Sequence, residues 1–133
     1  MNRQQARELA ASTLSSLATY ALVAEGARRK LGGVSPVAIV LSKGTQIVQL
    51  TRDTHNEAVH RLSVTVYVRC DEGGEDAAED NLDTLAEAAA VALKNAGFLV
   101  GESDASPEGS PLRLIDGAYY RAEVLVVQYE EWL

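Results

Sequence analysis

The residues from Arg61 to Cys70 alternate polar and apolar side chains without a break. The apolar set is Leu62, Val64, Val66, Val68 and Cys70. Successive side chains of a strand point to opposite faces, so this pattern predicts a strand with one buried face and one open face. Antiparallel sheets tolerate an open face, whereas a parallel strand covered on both sides is apolar throughout. The segment therefore favours a mainly antiparallel sheet.

A helix is predicted near the start of the chain, over residues 3–24. Leucine and alanine recur there at roughly the 3.6-residue spacing that gives a helix one apolar face. Asn2 and Gln5 stand at the spacing of a capping box, in which each side chain accepts a hydrogen bond from the other's backbone. Gly26 is the expected stop.

A second helix is predicted over residues 77–96, again with a stripe of leucine and alanine. Asp76 and Glu79 have capping-box spacing, and Gly97 stands where a left-handed residue ends many helices. Acidic residues crowd the start of this segment. They suit the positive end of the helix dipole, and we favour that role over a divalent-cation site because the spacing of a calcium loop is not met.

The remaining strands are predicted from apolar runs bounded by glycine and proline. Pro36 precedes a strand at 37–41, Lys43 and Gly44 allow a turn, and a second strand follows at 45–51. Two more strands, at 112–116 and 118–130, close the chain. The order α-β-β-β-α-β(-β) predicts an α+β fold with a mixed, mainly antiparallel sheet and both helices on one of its faces.

Composition limits the class of protein. The chain has 133 residues, 47% of them hydrophobic, which suits a single domain over residues 1–133. The lone Cys70 allows no internal disulfide, and no apolar run approaches the length of a membrane span. A net charge of −7 disfavours tight non-specific binding to DNA. We expect a protein that folds in a cytoplasm.

Catalytic and metal-binding motifs are not found in the sequence. The segment 42–45 lacks the glycine order of a phosphate loop, and 101–105 lacks the second glycine of a serine elbow. His55, His60 and Cys70 have no metal-ligand spacing. We expect both histidines to be solvated in or beside a loop, so an enzyme remains an option only if one of them meets a carboxylate. No cofactor is expected.

Two long polar segments, 52–59 and 101–111, are predicted to be exposed loops. Loops of this length on a rigid scaffold often carry contacts. The strands also leave sheet edges, which must be protected or paired with another chain. These features indicate interaction surfaces rather than an active site.

In its layout the whole chain resembles the tail terminator proteins of long-tailed, lambda-like phages. The resemblance rests on the order and spacing of its segments. An amphipathic helix at 3–24 precedes the Pro-led apolar strand 35–41, and the alternating strand 60–70 leads to the helix around Leu82 and Asp83. The chain then closes on a strand with the aromatic and acidic tail 126–132.

This resemblance implies a structural protein of the virion, with no catalytic activity and no cofactor. Such proteins form a hexameric ring on the end of the tail tube, stop its polymerisation and offer a surface to the head-tail connector or stopper protein. DNA passes through the lumen without specific binding. The location implied is the tail-neck junction of a virion assembled in the host cytoplasm.

Candidate contact residues follow from the loops and the tail. We expect Arg52, Asp53, His55 and Glu57 to meet the tube or the neighbouring subunit. Tyr129 and Trp132 are candidate anchors, because tyrosine and tryptophan dominate the energetics of interfaces. Packing of Tyr129 against a helix, and of Trp132 over the end of the sheet, is the alternative. If Trp132 is an anchor, Trp132→Ala weakens assembly more than folding.

Two other functions stay open at the level of sequence. One is another phage neck, connector or tail-completion protein that binds the head side. The other is a small-molecule-binding regulatory domain with a sheet and two helices, since such folds host many functions.

Overall fold

Two helices and six strands follow one another in the computed structural model, which describes residues 2–26, 33–49, 56–70, 75–103, 112–115 and 117–132. The helices are α1 (Arg3–Ser16) and α2 (Glu75–Asn95). The strands are β1 (Leu22–Glu25), β2 (Val37–Gln49), β3 (Asn56–Arg69), β4 (Leu99–Ser103), β5 (Leu112–Ile115) and β6 (Ala118–Trp132).

The strands form one mixed sheet in the order β1-β2-β3-β6-β4, with β5 also paired to β6. β1 runs parallel to β2, and every other pair is antiparallel. β4 pairs with the middle of β6 and β5 with its start, so the two short strands follow each other along one edge. The predicted α+β class, with a mixed and mainly antiparallel sheet, is confirmed.

Both helices cover the same face of the sheet, as predicted. α1 contributes Ala6, Ala10 and Leu14 to the core, and α2 contributes a longer stripe that includes Leu82 and Leu93. The sheet side of this core consists of alternate residues of the long strands: Ala38, Val40, Leu62, Val64, Val66, Val68, Leu125 and Val127. Each fully buried leucine or valine contributes about 1.5–3 kcal/mol relative to an exposed one, so this layer dominates the stability of the fold.

The alternating pattern predicted that the opposite face is open to solvent. This prediction is wrong, because that face is partly covered. Val37, Ile39 and Tyr120 are buried there in a second cluster. The ring of Tyr120 meets that of Tyr67 edge to face at 6.3 Å, and its hydroxyl donates to the carbonyl oxygen of Val34 at 3.2 Å. Ser63 and Thr65 of β3 are also buried on this face, so alternation of polarity does not report exposure here.

The first helix is shorter than predicted. Asn2 and Gln5 form the predicted capping box, at 2.8 and 2.9 Å, but α1 ends at Ser16 and Ala18 takes a left-handed φ of 55°. The rest of the predicted helix, including Ala21, leads into β1. Alanine and leucine satisfy a helical stripe and a strand equally well, and pairing with β2 decides the outcome because β1 places side chains in both clusters.

The predicted turn at Lys43 and Gly44 is a β-bulge inside one long strand. Ser42 pairs with Leu62 and Gly44 with Arg61, so β2 carries one extra residue at this point. Gly44 has a φ of 131°, which residues with a side chain avoid. Consequently the predicted strands 37–41 and 45–51 are one strand, β2.

Other boundaries also differ from the predictions. Residues 56–59 belong to β3 and 101–103 to β4, so both predicted loops are shorter; residues 50–55 and 104–111 lie outside the described residues. Residues 56–59 of β3 pair with β2, and 57–59 also pair with β6, and this pairing holds the polar Asn56 and Glu57 in the strand. Helix α2 begins at Glu75, so Asp76 lies in its first turn and is not the N-cap.

The end of α2 is as predicted. Gly97 has a φ of 102°, and its N–H donates to the carbonyl of Lys94. The N–H of Phe98 donates to the carbonyl of Leu93 at 3.0 Å, and the Phe98 ring is buried in the core beside α2. This hydrogen bonding closes the helix and directs the chain into β4.

Candidate functional site

A groove of about 370 Å³ lies on the sheet face away from the helices. Side chains of β2, β3 and β6 line it: Leu41, Lys43, Arg61, Ser63, Thr65, Tyr67, Val124 and Val126. This groove, called the sheet groove below, is the part of that face not filled by the second apolar cluster.

Strand register explains the shape of the sheet groove. Ser63 of β3 lies between Leu41 of β2 and Val126 of β6. Small side chains in the central strand and larger ones on both flanking strands leave a trough between β2 and β6, whose backbones lie two strand spacings, about 9–10 Å, apart. The larger flanks shield the floor, where Ser63 and Thr65 are only 4% and 7% exposed.

The walls of the sheet groove are apolar and partly open to solvent. Val126 is 39% exposed, and Leu41, Tyr67 and Val124 are half-buried. Partly exposed apolar walls of this kind are suited to contact with another molecule or segment.

One end of the sheet groove carries two cationic side chains, although the chain as a whole is acidic. Lys43 stands at the bulge, and Nη2 of Arg61 donates to Oε1 of Gln46 at 2.8 Å. Neither forms an ion pair with any residue that the structure describes. Glu130, opposite Val59, is the next charged position of that face beyond Arg61. The bulge thus concentrates positive charge at one end of an apolar trough.

A second exposed surface lies on the outer side of α2. Asp80, Thr84, Glu87 and Val91 follow one another at helical spacing and are exposed, with Val91 55% exposed. Beside this stripe, Leu17 from the end of α1 helps to line a shallow depression of about 460 Å³. The stripe, called the α2 stripe below, combines carboxylates with an apolar side chain.

A third feature is the open edge of β2. Within the described residues, β1 pairs only with positions 37–40, so β2 from Leu41 to Gln49 is paired on the β3 side alone. Ile47 in this part is 64% exposed. Exposed edges with apolar side chains are suited to pairing with another chain.

The residues predicted as contacts are distributed unevenly. Arg52, Asp53 and His55 lie outside the described residues. Glu57 and Trp132 are brought opposite each other by the pairing of β3 with β6, and the structure describes their backbone only.

Tyr129 lies on the helix side of the sheet. It is half-buried, and its ring meets that of Phe98 edge to face, with centroids 5.2 Å apart. This position agrees with the alternative to an interface anchor, in which Tyr129 packs against a helix. Its role in an interface stays a prediction.

His60 was predicted to be a solvated histidine in or beside a loop. The structure shows instead a buried residue of a strand. It is 4% exposed in β3, and its Nδ1 lies 3.0 Å from the hydroxyl of Thr45. The cause is the early start of β3 at Asn56, which places His60 inside the sheet. Among the described residues, no group of three or more His, Cys, Asp or Glu side chains is arranged to hold a metal ion.

The sequence contained a signal for the sheet groove that the prediction of contact loops did not use. Residues 124–127 and 37–41 are apolar at every position. In a sheet with helices on one side only, such runs require the other side to be covered as well. They indicate a second apolar face, part of which is the sheet groove.

No known family model and no curated protein matches this chain. None of the helices in the described part of the chain has the length and apolar character needed to cross a membrane.

Proposed function

We propose that the chain is a phage tail terminator, a non-enzymatic virion protein that forms a ring on the end of the tail tube. In this role it stops polymerisation of the tube protein and presents a joining surface to a head-tail connector or stopper protein. It needs no cofactor. DNA crosses the ring without specific contacts, in keeping with the net charge of −7.

The observation that carries the proposal is the pair of unsatisfied surfaces on one small domain. The walls of the sheet groove are apolar and partly exposed, and within the described residues β2 from Leu41 to Gln49, which includes the bulge, has an open edge. Surfaces of this kind are expected in a protein that functions only when assembled. The α+β architecture agrees with the fold that the resemblance implies.

The test is an assembly reaction. Tail-tube protein encoded in the same phage genome is polymerised with and without this chain, and tube lengths are measured by electron microscopy. A terminator arrests growth and is found at tube ends. Tubes of unchanged length would contradict the proposal, and binding to a head-side connector alone would favour a neck or connector protein instead.

The sheet groove also supports a second candidate, a small-molecule-binding domain. Its volume of about 370 Å³ falls within the range of ligand pockets. A ligand that binds only the native state raises the melting temperature, so a thermal-shift screen with metabolites tests this candidate.

A further inference from the structure

We propose that the α2 stripe of one copy of this chain docks into the sheet groove of the next copy. The proposal rests on the self-association that the proposed function requires, and it assigns the two surfaces that meet.

The sheet groove runs along the strands. Its walls stand on β2 and β6, with the small floor residues of β3 between them. The backbones of β2 and β6 lie two strand spacings, about 9–10 Å, apart. Projecting side chains of one helix face, laid along the groove, contact the apolar walls on both sides.

The charges of the two surfaces are opposite. Asp80 and Glu87 are exposed on the α2 stripe, and Lys43 and Arg61 stand at one end of the sheet groove. None of these four side chains has an ion-pair partner among the described residues. Opposite charges on these two pairs of residues favour contact between the stripe and this end of the groove.

Apolar complementarity adds to the charge. Val91 is 55% exposed on the stripe, whereas Val126 is 39% exposed on the wall of the groove. Contact between them removes both from water, and exclusion of water strengthens the neighbouring ion pairs.

The geometry of such a contact is head to tail. The helices and the sheet groove lie on opposite sides of the sheet, so one copy cannot bring its own stripe into its own groove. A contact between two different surfaces generates a ring when the rotation closes and a filament when it does not. The proposed contact is therefore of the type from which a ring is built.

The experiment exchanges the charges. The helix variant is Asp80→Lys with Glu87→Lys, the groove variant is Lys43→Glu with Arg61→Glu, and the combined variant carries all four changes. Glu8→Lys and Arg3→Glu on α1 are matched controls, because both positions are exposed and lie outside the two surfaces. Mass is measured by light scattering under the conditions, alone or with tube protein, in which the wild type assembles.

We expect the helix and groove variants to lose assembly and run at the 14.2 kDa of one chain. The combined variant regains the wild-type mass, because its lysines again face glutamates, and the controls stay at that mass. Melting temperatures verify folding. If the groove variant unfolds, Lys43→Glu alone, at an exposed position, serves as its substitute.

Other results overturn the inference. Assembly of the helix and groove variants at the wild-type mass, or no recovery in the combined variant, means that these surfaces do not meet. A one-to-one dimer of the groove variant with the wild type means that groove pairs with groove. If tube growth is still arrested by the helix and groove variants, only this inference fails. A wild type that stays monomeric with tube protein overturns the proposed function as well.

Discussion

Val126 and Val127 are adjacent in β6 and lie on opposite faces of the sheet. Val127 is fully buried under the helices, whereas Val126 is 39% exposed at the wall of the sheet groove. The same valine-to-alanine substitution at the two positions therefore distinguishes an effect on folding from an effect on association, because only the face of the sheet differs.

We expect Val127→Ala to lower the free energy of unfolding by about 2 kcal/mol, because it removes buried methyl groups and leaves a cavity. Val126→Ala is expected to cost less than about 0.5 kcal/mol, as at other surface positions, but to weaken self-association. Urea unfolding and light scattering measure the two effects. Equal losses of stability would contradict the assignment of the two faces.

Tyr20 carries a hydroxyl that is buried without a hydrogen-bond partner among the described residues. Burial disfavours the phenolate and raises the pKa of Tyr20 from 10.0 to about 12. Because an unsatisfied buried polar group is costly, Tyr20→Phe is expected to leave stability unchanged or raise it by up to about 1 kcal/mol. Urea unfolding at neutral pH measures this change, and a clear loss would indicate a partner for the hydroxyl.

The same group predicts a pH dependence. Above pH 10 the unfolded chain ionises Tyr20 while the folded chain keeps it neutral, so stability falls from pH 10 until the folded pKa of about 12 is passed. Tyr20→Phe is expected to lose less stability over this window than the wild type. Parallel loss in both proteins would show that other groups cause the alkaline transition.

At the scale of elements, the bulge in β2 does more than interrupt the hydrogen bonding. The extra residue shifts the pleat, so that Ser42 and then Thr45 face the helix side, with Lys43 left at the end of the sheet groove. The bulge therefore supplies the cationic end of the groove.

Gly44→Ala is expected to destabilise the protein by about 1–2 kcal/mol, because a φ of 131° strains any residue with a side chain. A Cβ at this position would meet no atom within 4 Å, so backbone strain is the only cause. Thermal melting compared with Lys43→Ala, at an exposed position beside the glycine, isolates the effect. An unchanged melting temperature would mean that β2 relaxes its bulge at no cost.

An element whose limits are indicated by capping residues and an apolar stripe could be predicted from the sequence. An element that forms because it pairs with a neighbouring strand could not. Helix α2 was predicted within two residues at each end because Gly97 and the apolar stripe define it. β1 was mistaken for helix, since its alanine and leucine fit either pattern and only the contact with β2 selects a strand. A glycine such as Gly44 marks a turn or a bulge equally well.

The candidate site was less predictable than the fold. The predicted contact residues came from loops and the tail, whereas the sheet groove is built by residues of three strands that are distant in sequence, such as Leu41, Thr65 and Val126. Periodicity assigns a residue to a face, but the size difference between neighbouring strands that makes a trough depends on register. The continuous apolar runs were the only sequence signal of that second face.

At the scale of the whole molecule, the helices and the sheet groove occupy opposite sides, and each side carries an exposed apolar side chain, Val91 on one and Val126 on the other. Such a domain is suited to head-to-tail association with its own copies.

The central claim is tested most directly by the mass of the purified chain in light scattering, first alone and then with tail-tube protein. We expect a closed species of roughly six copies, on its own or at the tube tip, against 14.2 kDa for one chain. A chain that remains at 14.2 kDa in both conditions, whatever its concentration, would contradict it.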